Sequence, residues 1–233
     1  MKLITTAAAA LLVTAVSASA ASFDFGEYAR DNGEGSWDYI TGGDITDGGI
    51  TVEAGSFLHD GVSVIEDARD TSVAYLDGPN SSDLNAGLGV CTAGIGGGGT
   101  GECLIGGDDN TGATPAGGAS AGLFEGLVLR FSSAVTLSDL VFRDADHVVI
   151  NSGLIAVGDA TAEQPGDLTV WDIGGDFFDY GSTQWVFAAI GGEGIEFYID
   201  GVTATTVPLP AAGWLLIGGL GGLAAMKRRK KAA

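Results

Sequence analysis

The residues LVLRF at 127–131 place Leu127, Leu129 and Phe131 on one side of an extended chain, and Val128 and Arg130 on the other. That period of two belongs to a strand with one buried face. Similar short runs recur at 50–53, 62–65, 73–76, 135–137, 140–142, 148–150, 154–157, 168–171, 185–190, 196–199 and 202–206, broken by Gly, Asp and Asn. Ahead of the C-terminal segment, no stretch of twelve residues has a helical period. Many short strands with turn signals every ~8–12 residues predict an all-β chain, folded as a jelly-roll-like β-sandwich.

The two ends differ from this pattern. Residues 1–20, MKLITTAAAALLVTAVSASA, combine a single basic residue, Lys2, with an apolar centre and the small residues Ala18-Ser19-Ala20. These are the marks of a cleaved secretory signal, and the expected cut falls between Ala20 and Ala21. At the other end, residues 211–226 carry no charge and are followed by Lys227, Arg228, Arg229, Lys230 and Lys231. Sixteen helical residues span about 24 Å, enough with a few flanking residues to cross a bilayer's hydrocarbon core. A single transmembrane helix is expected there, its basic end cytoplasmic and Trp214 at the outer interface. The expected topology is N-out, C-in.

Between the ends lie residues 21–206, a length suited to one domain with a core of its own. This segment holds four arginines (Arg30, Arg69, Arg130 and Arg143), no lysine and all 30 acidic residues, for a formal charge of −26. Such a field repels nucleic acid and anionic lipid, so a nucleic-acid partner is excluded. Aromatic and β-branched clusters throughout argue against disorder.

One region interrupts the strand rhythm. From 87 to 122 the chain is mostly Gly, Ala, Thr and Ser, and it contains Cys91 and Cys103. Exported cysteines meet an oxidising compartment. Joining these two would close a short glycine-rich loop, with ~3 kcal/mol of stabilisation for a loop of that order. The competing reading, a metal site, lacks a cysteine or histidine partner nearby. A disulfide-held surface excursion is therefore expected.

The C-terminal 27 residues, with Val207, Pro208, Leu209, Pro210 and Ala211, then a Leu/Gly-rich apolar segment, then a basic cluster, resemble the PEP-CTERM class of sorting signals in its VPLPA variant. The resemblance implies processing near the proline motif by an exosortase-type membrane protease-transpeptidase, passage through the inner membrane, and delivery to the cell surface or matrix. Such proteins are often linked to exopolysaccharide. Pro208-Leu209-Pro210 stands where the PEP form has Pro-Glu-Pro. Three internal stretches, GLGVC at 87–91, GGDDN at 106–110 and EGLVLRFSSAVTLSDLVFRDADH at 125–147, are similar to sandwich domains that many tail-bearing proteins share.

Candidate chemistry is sparse. His59 and His147 are the only histidines and stand in unrelated contexts, and no G-x-S-x-G or H-E-x-x-H motif occurs. No enzyme is expected. Hard oxygen donors that would suit Ca²⁺ cluster at Asp108, Asp109 and Asn110 with Glu125, and again at Asp144 and Asp146. Neither group follows an EF-hand spacing, and Asp and Asn favour plain turns as well. Asp176-Phe177-Phe178-Asp179-Tyr180 with Trp171 and Trp185 could stack a sugar or could simply be core. Two functions follow: a structural or adhesive module of the bacterial surface or exopolysaccharide matrix, and a calcium-dependent carbohydrate-binding module.

Overall fold

The alternation that starts before Leu127 does not stop at Phe131. The computed structural model describes residues 18–59, 64–65, 72–79, 83–91, 111, 124–150, 155–159, 169–172, 181–189 and 196–207. In chain order its elements are β1 (Ala20–Asp24), α1 (Phe25–Asn32), β2 (Gly35–Ser36), α2 (Trp37–Thr41), β3 (Ile45–Asp47), β4 (Ile50–His59) and β5 (Val64–Ile65). There follow β6 (Val73–Asp77), β7 (Gly87–Cys91), β8 (Phe124–Arg143), β9 (Val149–Ile150), β10 (Ile155–Asp159), β11 (Thr169–Asp172), β12 (Ser182–Ala189) and β13 (Tyr198–Thr206). Every strand pairing among the described residues is antiparallel. The class is all-β, a curled antiparallel sheet with sandwich-like character.

Strand β8 holds this sheet together. Its first part pairs with β4 on one edge and β12 on the other, Leu129 standing opposite both Ala54 and Trp185. Its second part pairs with β13, from Val135↔Thr206 to Arg143↔Tyr198, and with β9 at its end. The three runs expected at 127–131, 135–137 and 140–142 are thus one strand of 20 residues. Inward-facing positions are odd-numbered from Glu125 to Leu137, but Phe142 is buried too. The change of phase falls at Asp139, whose φ is +50° and where the register with β13 shifts. An extra residue in a strand flips the following side chains to the other face.

The same irregularity unites the runs at 196–199 and 202–206 into β13. Its register shifts around Gly201, so that Ile199 and Val202 both face the core although three positions apart. Packed inside the curl are Leu127, Leu129, Leu137, Phe142, Phe187, Phe197, Ile199 and Val157, each 3 % exposed or less. Phe142 meets Phe197 edge-on at 5.8 Å and Phe187 at 6.2 Å. Trp185, grouped in sequence with a sugar platform, is 2 % exposed and donates its indole N–H to Val135 O at 3.2 Å. It is a core residue, because it lies on the inward face of β12 opposite Leu129.

Two short helices were not anticipated. Asp24 accepts the N–H of Glu27 at 2.7 Å and so caps α1, which ends where Gly33 takes a φ of +97° and its N–H closes on Ala29 O. A carboxylate at that position satisfies one of the orphan donors of the first turn. α1 buries Phe25 and Ala29, and Trp37 of α2 lies edge-on to Phe25 at 5.9 Å. The segment expected as a glycine-rich excursion from residue 87 begins instead with a strand. All five residues of β7 are buried, and it pairs with β6 along its whole length.

Residues 19–207 form one compact unit. Its ends are fastened together: Thr206 donates its backbone N–H to Ser19 O at 2.8 Å, Ser19 donates its own to Thr206 Oγ1 at 2.8 Å, and Val207 N–H donates to Ala134 O at 2.9 Å. Among the described residues no helix is long and apolar enough to cross a membrane. Residues 1–17 and 208–233, including 211–226, Pro208, Leu209, Pro210, Ala211 and the basic residues 227–231, lie outside the described residues.

Candidate functional site

The outer face of the sheet carries a buried polar cluster. Cross-strand neighbours share a face, so the inward Leu88–Ile199 pair sends Asp200 of β13 and Asp77 of β6 outward, where Arg143 of β8 joins them. The turn after β8 folds back over this face. It is pinned by Asp144, whose Oδ1 accepts the N–H groups of Asp146 (3.0 Å) and Val148 (2.9 Å). His147, at φ +64°, is thereby turned down onto the sheet.

There His147 Nε2 lies 3.1 Å from Asp77 Oδ2, Nδ1 lies 3.0 Å from Leu84 O, and the ring stands edge-on to Tyr198 at 5.5 Å. Arg143 ties the turn to the strands. Its Nη1 donates to His147 O at 2.9 Å, and its Nη2 pairs with Asp200 Oδ2 at 2.8 Å. Both ring nitrogens of His147 are committed, one to a carboxylate and one to a carbonyl. Held at both nitrogens, the ring fixes the 144–148 turn against the sheet.

Burial lifts the Asp200 carboxyl above its ordinary value, a rise opposed by the hydrogen bond and charge of Arg143 and reinforced by Asp24. The folded chain therefore holds this proton more tightly than the unfolded chain does. The contribution of the group to stability is complete below the ordinary aspartate pKa of about 4 and declines as pH rises through the raised value. The stability of the native chain relative to Asp200→Asn is expected to fall between pH ~3.5 and ~6.5. Paired urea titrations at the two pH values check it, and a difference that grew with pH would mean the Arg143 attraction outweighs the burial.

The residues picked out for calcium are described only in part. Asp108, Asp109, Asn110 and Cys103 lie outside the described residues, as do 176–180. Thr111, next to them, makes a two-bond bridge with Phe197 and is fully buried. Glu125 is no loop ligand: it is a β8 residue opposite Leu58, 0 % exposed and on the same inward face as Leu127 and Leu129. The strand starts three residues before the run at 127–131. Among the described residues no group of three His, Cys, Asp or Glu is placed to hold a metal. Asp144 and Asp146 form a turn closed by their own backbone. Replacing Asp144 by Ala removes two acceptor contacts, and a loss of about 1 kcal/mol is expected in urea unfolding, with or without calcium.

His59 sits apart, 3 % exposed, its ring between Phe57 (5.8 Å) and Phe124 (5.6 Å). Elsewhere a shallow groove of about 230 Å³ runs beside α1, lined by Asp24, Glu27, Asp31 and Asp47 with Phe23 and Tyr28. Two of those carboxylates already serve the backbone, Asp24 as the helix cap and Asp47 as acceptor for Ser22 N–H at 3.2 Å. Cys91 closes β7 with no exposed surface, and among the described residues no cysteine is free. No protein-family model, curated protein or solved structure matches this chain.

Proposed function

We propose that this is an exported structural or adhesive protein of the bacterial surface or exopolysaccharide matrix, delivered by its C-terminal sorting segment. The observation that carries the reading is the junction at Val207. This first residue of the VPLPA motif is hydrogen-bonded to Ala134 and is the last residue of the compact unit. An exosortase-type enzyme cutting after it would release the domain without removing a residue of β13. A cluster whose histidine is fully engaged, on a domain of formal charge −26, fits a scaffold better than a catalyst.

In this reading the curled sheet is a jelly-roll-like β-sandwich, and Cys91 pairs with Cys103 to tether the glycine-rich segment that leaves β7. The apolar residues 211–226 hold the chain in the inner membrane, N-out and C-in, until processing. The test is intact mass on protein recovered separately from membranes and from the extracellular fraction of the native host. Species beginning at Ala21 and ending at 207–211 outside the cell are expected. A chain running to Ala233 and found only in membranes would replace sorting with permanent anchoring.

A further inference from the structure

The bond expected to be cut during export lies inside the folded sheet. Ala20 stands opposite Thr205 and Ala21 opposite Ala204 in the β1–β13 ladder, and Ala21 is 3 % exposed. On the N-terminal side of the bond, Ser19 takes part in three hydrogen bonds with Thr206, two of them at 2.8 Å. Ser19 also donates its hydroxyl to Gly48 O at 2.6 Å. Gly48, at φ +52°, packs so closely on Ala20 O that a Cβ there would lie 2.6 Å from it. A peptidase needs the residues flanking its bond extended and unpaired, because it reads them through the same main-chain groups. Here the main chain of Ser19 is bonded to Thr206, Ala20 O is covered by Gly48, and Ala21 is buried, although the Ala20 side chain itself is exposed.

The geometry points to a fixed order of maturation: the Ala20–Ala21 bond is hydrolysed before β13 docks, and a chain that folds first is locked uncut. This rests on reading residues 1–20 as a signal. Water adds across the amide, leaving a carboxylate on Ala20 and an ammonium on Ala21. The partner strand is the last of the domain, so the junction stays open until nearly all of the domain has been made. After the cut, the new terminus is retained, because Ala21 and Phe23 are both buried against Ala204 and Val202. The ammonium emerges next to Ser22, whose N–H is already held by Asp47.

The full chain, made without export and held in detergent micelles, tests this. Signal peptidase is either present as the chain is diluted from urea or added after refolding is complete by near-UV circular dichroism. Cleavage at Ala21, read by intact mass, is expected to be at least ~10-fold slower in the second arm, since only local opening exposes the bond. Thr206→Pro removes the N–H donated to Ser19 and the hydroxyl, and should restore cutting of the folded chain. Thr206→Val, which keeps the N–H, should fall between. Equal rates in the two arms overturn the order of events while leaving the signal reading intact. No cut at Ala20–Ala21 in either arm overturns the signal reading itself.

Discussion

Gly87→Ala is expected to lower stability by about 3–5 kcal/mol, combining backbone strain with overpacking. Gly87 has a φ of +116°, and a Cβ there would lie 2.4 Å from Ile199 O, 2.8 Å from Asp200 Cα and 2.9 Å from Ile199 C. All three are backbone atoms of β13, so no side chain can swing aside to make room. Relief requires β7 to move away from β13, and the registered contact between these strands is the single Leu88–Ile199 pair. Gly33→Ala is the matched control. Its φ of +97° is just as unsuited to a side chain, but nothing lies within 4 Å of the added carbon. It should cost about 1 kcal/mol, the lower end for backbone strain alone. Urea midpoints at unchanged slope would separate the two, and in a domain of this size the gap corresponds to roughly 5–15 °C in Tm. If both variants lose the same amount, close approach of the two backbones is not what demands glycine at 87.

Arg143→Leu is expected to cost about 3 kcal/mol, the lower end for breaking a buried ion pair, because both partners keep a little solvent contact. Two losses combine. Asp200 keeps its charge under α1 without its nearest cation, and the 144–148 turn loses the bond from Arg143 Nη1 to His147 O. Gly26 of α1 packs directly on Asp200 Oδ1, so the helix covers one side of this carboxylate. With Arg143 gone, the carboxyl holds its proton more tightly still. The defect should then be smaller at pH ~4 than at pH 7, the sign expected when a folded-state acid is raised. Adding Asp200→Leu should recover part of the loss, since removing both charges leaves nothing buried unpaired. A double variant as weak as the sum of the singles would show that the two side chains act separately.

Alternation in the sequence located almost every long strand, because burial on one face writes itself into every second residue. It misjudged how these strands join. Ser132-Ser133 and Ser138-Asp139 read as turns between strands, yet the first pair continues β8 and the second is a bulge within it. Polar residues on an outward face look the same in either case. α1 escaped notice because eight residues with Phe25 and Ala29 inward give barely two turns of pattern; the Asp24 cap followed by Glu27 was the available sign. β7 was hidden by its glycines, which permit close packing against β13 as readily as they permit a loose loop. The cluster around His147 was not legible at all. It draws on Asp77, Leu84, Arg143 and Asp200, which only the strand order brings together. The available sign was RDADH, a turn rich enough in Asp to fold back on itself.

The chain enters and leaves this domain side by side, at Ser19 and Val207, along two adjacent antiparallel strands. Its response to tension is therefore directional. A pull applied through both ends would part the β1–β13 bonds in sequence, like a zipper, at low force. A pull between the end of β13 and material gripped at the far end of the sheet would load the bonds of β13 with β8 and β1 all at once. In the proposed role as a matrix protein, the same domain would yield or hold according to where it is seized.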